Sequence, residues 1–140
     1  MKINLFYDEV KYRLRNVRKL KELIIKVIRN ENMIPGDLNF IITGDNNIRE
    51  INKEFLKRDN FTDVIAFDYG TGNKVDGEVY ISVDTVKINA NNYKVSLNSE
   101  LLRVIIHGTL HLCGYRDKED EEKEIMHKME EKWLGIYNAE

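Results

Sequence analysis

Apolar and polar positions alternate along the chain in two periods, and each change of period marks an element. Ile3 to Tyr7 has the short alternation of a strand. From about Val10 to Arg29 the period becomes helical, with Val17, Leu20, Leu23, Ile24, Val27 and Ile28 on one stripe and basic residues mostly on the other face. The single proline, in Met33-Ile34-Pro35-Gly36, reads as a turn, and Leu38, Phe40 and Ile42 then alternate as a half-buried strand ending at Thr43-Gly44-Asp45. A helix from about Asn47 to Leu56 should bury Ile48, Ile51 and Phe55, and a strand follows around Val64 to Phe67. After the loop Gly70-Thr71-Gly72-Asn73, Gly77 to Val83 supplies another strand and a helix runs from Asp84 toward Tyr93.

A third long helix begins near Ser96 or Ser99 and carries Leu101, Leu102, Val104, Ile105, Ile106, Leu110 and Leu112, so it is expected to be the buried central helix. Gly114 ends its pattern. A charged last helix should then pack Ile125, Met126, Met129 and Trp133 on the core. Strands and helices interleave without a strict strand-helix-strand repeat, which favours an α+β fold: a mixed sheet packed with helices, not a doubly wound parallel sheet.

Length sharpens this picture. A chain of 140 residues suits one hydrophobic core, and residues 1–140 are expected to form a single domain. Seven Tyr, five Phe and one Trp provide enough apolar surface to offset the ordering entropy of folding. No apolar run approaches the roughly 20 residues that cross a bilayer, and the opening MKINLFYDEV carries acids where a signal peptide needs an apolar stretch. The chain therefore reads as cytoplasmic and free of the membrane. Its one cysteine, Cys113, has no internal disulfide partner, which fits a reducing compartment.

Charge is unevenly spread: residues 1–60 hold 13 basic and 9 acidic side chains, the remainder 9 and 15. Lys11, Arg13, Arg15, Arg18, Lys19, Lys21, Lys26 and Arg29 face only Glu22 in their segment. Such a run is either a solvated helix face or an element that neutralises phosphates.

The candidate chemistry lies inside the most apolar helix. In His107-Gly108-Thr109-Leu110-His111 the two imidazoles are one turn apart on the same face, so both can reach one metal ion. One ion also satisfies two buried rings whose nitrogens otherwise need separate partners. Gly114 lets the chain turn back, and Asp117 sits where a third ligand is needed. Three ligands and an open fourth position make a catalytic zinc site, because the open position holds a water whose pKa the metal lowers toward about 7. Cys113, on another helix face, and His127, on the last helix, are rival third ligands. Gly108 occupies the place of the general-base glutamate in H-E-x-x-H proteases, which argues against an ordinary protease. The base is open among Glu78, Asp63 and the metal-bound hydroxide itself.

The string HGTLHLCGYRD, residues 107–117, resembles the H-G-x-L-H-L-x-G-Y-D-H signature of the YbeY family, bacterial endoribonucleases of ribosomal RNA maturation. INKEFLKRDNFTDVIAF is similar to that family's L-N-x-x-(Y/F) segment leading to T-D-V-L-S-F, and Gly77-Glu78-Val79-Tyr80-Ile81-Ser82 to its G-D-I-x-I-S segment. The resemblance, from roughly residue 38 onward, implies a zincin-like domain holding one Zn2+ ion. It further implies single-strand-specific RNA cleavage in 16S rRNA 3′-end maturation and ribosome quality control, with rRNA and the small ribosomal subunit as partners.

Two departures from the family pattern stand out. Asp117 occupies the position of the third metal histidine; a carboxylate oxygen binds zinc at about 2.0 to 2.2 Å, with a shift of preference toward harder ions. Where many members place an arginine after the residue matching Phe55, this chain has Leu56, Lys57 and Arg58, so the resemblance makes Arg58 a candidate phosphate contact. The competing functions are a metal hydrolase of peptides or small molecules and a non-catalytic ribosome-assembly factor that binds through Lys11 to Arg29.

Overall fold

The computed structural model describes residues 1–55 and 63–140. Along the chain come β1 (Lys2–Tyr7), α1 (Val17–Asn30), β2 (Ile34–Thr43), α2 (Asp45–Phe55), β3 (Val64–Asp68), β4 (Lys74–Ser82), α3 (Val83–Tyr93), α4 (Leu97–Leu112) and α5 (Asp120–Ala139). The strands form one sheet in the order β1-β2-β4-β3. β1 and β4 run parallel to β2, and β3 runs antiparallel to β4. The expected α+β class with a mixed sheet is what the chain adopts.

One face of the sheet carries the core. Ile3, Leu38, Phe40, Ile42, Val75, Val79 and Ile81 join the apolar sides of α1 and α4 in one core, and α5 packs on those two helices. Leu101, Ile105 and Leu110 of α4 are wholly buried, so α4 is the central helix its composition demands. It lies close on the sheet: a Cβ added at Gly108 would stand 2.7 Å from Val79 Cγ1. The glycine after His107 thus suits the close helix-sheet contact, and any side chain there would force Val79 to shift.

Four local expectations are corrected. The first long helix starts at Val17, not Val10, because Asn16 takes a left-handed φ of 50°. Tyr12 and Arg15 are instead tied to Asn98 through the Tyr12 hydroxyl and the Arg15 amide, and Leu14 is buried. Pro35 is inside β2, where a register irregularity between Pro35 and Leu38 absorbs the missing amide proton. Phe55 is exposed and meets Phe67 edge-on at 5.8 Å, while Asn52 is the buried residue of that turn. Ile125 faces solvent, because α5 buries the stripe Met126, Glu130, Trp133, Leu134 and Tyr137. Ser82 and Ser96 cap α3 and α4 by accepting from the Thr85 and Ser99 amides.

Candidate metal centre

The site is assembled at the C-terminal end of α4 by a turn and by the neighbouring helix. His107 and His111 meet edge-on one turn apart, their ring centroids 4.6 Å from each other. Past Leu112 the chain reverses through Gly114, whose φ of +104° suits glycine alone. The Gly114 and Tyr115 amides donate to the His111 and Leu110 carbonyls and close the helix end. The reversal does two things at once. It brings the Tyr115 carbonyl to 2.9 Å from His111 Nδ1, and it delivers the Asp117 carboxylate to 3.3 Å from His107 Nε2 and 3.5 Å from His111 Nε2.

Hydrogen bonding fixes both tautomers. His107 Nδ1 donates to Glu130 Oε2 at 2.5 Å, and His111 Nδ1 donates to a main-chain carbonyl; neither acceptor can donate in return. In the neutral rings the Nε2 atoms therefore carry the lone pairs, and both face Asp117, which is how metal-ligating imidazoles are oriented. Donors about 2.1 Å from a tetrahedral ion stand roughly 3.4 Å apart, close to the two separations found. Among the described residues, His107, His111 and Asp117 are the one group of His, Cys, Asp and Glu able to hold an ion, with donor atoms within 4.8 Å of one another.

Behind His107 lies a buried charge network. Glu130 accepts from Arg103 Nη1 at 3.4 Å, Arg103 Nε donates to Glu100 Oε1 at 3.2 Å, and Arg103 Nη2 pairs with Glu131 at 2.5 Å. Burial works against a charged His107, but its hydrogen bond with Glu130, the Glu130 charge and the nearby Asp117 and Asp63 outweigh it, so its pKa stands above the usual histidine value. Asp63, at the start of β3, lines the cavity beside His107, and burial raises its carboxyl above the ordinary range.

The other candidates separate. Cys113 is not in the donor group, and burial, with Glu31 and Asp68 nearby, pushes its thiol up to about 12. His127 is exposed on α5 and lines the adjoining cavity without joining the cluster. Glu78 accepts from the Tyr69 hydroxyl at 2.8 Å. It alternates with Gly77 and Val79, which face α4, and so lies on the opposite side of the sheet. Arg58 lies outside the described residues, as do Leu56 and Lys57. Glu130 and Arg103 escaped the sequence reading. Their signal was a charge on an otherwise apolar stripe, with Glu130 between Met126 and Trp133, and Glu100 and Arg103 among the leucines of α4.

A mixed sheet under a central helix with two imidazoles and a returning carboxylate defines a small α+β protein whose three converging donors could hold a metal ion. The profile of the family described as Endoribonuclease YbeY matches residues 3–138. An endoribonuclease YbeY of Flavobacterium psychrophilum is 39% identical over 134 residues, covering 96% of each chain. That of Parabacteroides distasonis is 47% identical over 105 residues, covering 75% of this chain and 74% of its own. The solution structure of a Thermotoga maritima protein superposes with a TM-score of 0.63 at 29% identity, covering 97% of this chain and 89% of that one. The chain belongs to the YbeY endoribonuclease family.

Proposed function

We propose that this chain is a metal-dependent, single-strand-specific endoribonuclease in which His107, His111 and Asp117 hold one zinc ion. The observation that carries the reading is the convergence of the two Nε2 atoms and the Asp117 carboxylate with both Nδ1 atoms already engaged. Membership of the YbeY family supplies the reaction class. When bound, the ion supplies Lewis acidity at a phosphodiester and lowers the pKa of water.

The chain's own groups do the rest. Glu130 and the Tyr115 carbonyl aim the two rings, and Arg103 fixes Glu130. Asp63 is the carboxyl beside His107 placed to take a proton from the attacking oxygen. Burial raises its carboxyl above the ordinary range, which makes it a better proton acceptor than a solvated aspartate. Because the third donor is a carboxylate oxygen, the site should tolerate manganese better than a three-histidine site does. The substrate we infer is the 3′ region of small-subunit rRNA, the partner the small ribosomal subunit, and the compartment the cytoplasm, with residues 1–140 working as one catalytic domain. Among the described residues no helix is long and apolar enough to cross a membrane.

Incubating the zinc-loaded protein with single-stranded RNA, duplex RNA and an unstructured protein tests the reading. Cleavage of the first alone is expected. Proteolysis without RNA cleavage would replace it with a peptide hydrolase, and ribosome association without any cleavage would replace it with an assembly factor.

A further inference from the structure

The space beside His107 extends well beyond the metal donors. A cavity of about 480 Å³ follows α4 from His107 past Val104 and Arg103 to Glu100, a span of roughly 10 Å along the helix axis. α3 contributes Asn89 and Tyr93 to it, one turn apart on the same face, and α5 contributes His127 and Glu130.

Its electrostatics select the occupant. Asp63, Glu100 and Glu130 line it, and the one guanidinium among its described lining residues, Arg103, is already bound to Glu100, Glu130 and Glu131. A phosphate entering here would meet three carboxylates and, among the described lining residues, no free arginine, so this wall of the cavity suits an uncharged group. Its remaining surface is suited to a flat one. Tyr93 is 64% and Val95 39% exposed, and Asn89 is half-buried with no side-chain hydrogen bond to any described residue. An aromatic face beside a free amide, with both a donor and an acceptor, is how proteins take an unstacked base.

We propose that this cavity is a nucleobase subsite: it receives the base next to the scissile phosphate, stacked on Tyr93 with its edge read by Asn89, while the phosphate lies at the His107 side. The proposal rests on the endoribonuclease reading and deepens it, since a base held in a duplex cannot enter the cavity without being unpaired. Single-strand selectivity then follows from the cavity itself.

The test uses the zinc-loaded full chain and a short single-stranded RNA, intact or with an abasic ribose at each position flanking the cleavage site. One abasic position should lower kcat/KM roughly 5- to 100-fold. Tyr93→Ala should impose a similar loss on intact RNA and little further loss on that abasic RNA, with Tyr93→Trp restoring the rate. Asn89→Ala should change the preferred base, and both variants should bind zinc with wild-type stoichiometry and affinity. Equal kcat/KM on intact and abasic RNA, or a Tyr93→Ala variant indistinguishable from wild type, would overturn the subsite while leaving the endoribonuclease reading in place. No cleavage of intact RNA by the wild type would overturn that reading, and the subsite with it.

Discussion

His107 and His111 sit one turn apart on one helix, yet they are held by different parts of the molecule. His111 is served locally: its Nδ1 partner is a carbonyl four residues later, on the same turn that brings Asp117. His107 is served from a distance, by Glu130 on α5, which is fixed by Arg103 and, through it, by Glu100 and Glu131. Half of the centre is therefore written within residues 107–117, and the other half exists only once α5 has docked. The local half depends on backbone geometry; the distant half depends on tertiary packing and the pairing of buried charges.

Removing either ring should erase the difference between the halves. His107→Ala and His111→Ala are both expected to lose stoichiometric zinc and to bring RNA cleavage to background, measured by metal analysis of the purified, folded variants. The distant half is tested alone by Glu130→Gln, which keeps the shape but weakens the acceptor. Zinc affinity should fall about 10- to 100-fold in a competition titration with a chromophoric chelator, and Glu130→Asp should restore part of it.

The local half is tested by Gly114→Ala. A side chain at a φ of +104° is strained by about 1–3 kcal/mol. The variant should lose that much stability in denaturant unfolding, and lose zinc affinity as Asp117 is displaced, with the Glu130 network intact. The smallest expected effect is on pH dependence. The pKa of His107 lies above its ordinary 6.5, so its charged form stabilises the metal-free fold fully below about 6.5, and that contribution is lost as pH rises through the raised value. Zinc needs Nε2 unprotonated, so its binding strengthens over the same interval. Melting temperatures of the metal-free and zinc-loaded protein should therefore move apart with rising pH.

The same division explains what could be read from the sequence. The i, i+4 histidines, Gly114 and Asp117 are near neighbours in the chain, and helix and turn geometry alone bring them together. The apolar stripes of α1 and α4 are equally legible, because a helix buries whichever face is apolar. Glu130 is one of many acids on a charged helix, and nothing in the sequence singles it out until its place between Met126 and Trp133 puts it on the buried stripe. Ile125 was misplaced by an error of phase on the same helix. The start of α1 was missed because Asn16 at positive φ is permitted but not announced by the sequence. Pro35 signalled a turn, and only the register with β4 shows that β2 continues through it with a bulge. Asp63 could not be ranked above Glu78 until the strands placed one beside His107 and the other across the sheet.

The central claim is that one ion, held by His107, His111 and Asp117, makes this chain a ribonuclease. The most direct measurement is the initial rate of single-stranded RNA cleavage as zinc is titrated into the folded, metal-free protein. The rate should rise from background in proportion to added zinc and break sharply at one equivalent, with Asp117→Ala showing a far shallower rise over the same range. Full activity before any zinc is added, or an Asp117→Ala curve identical to that of the wild type, would contradict it.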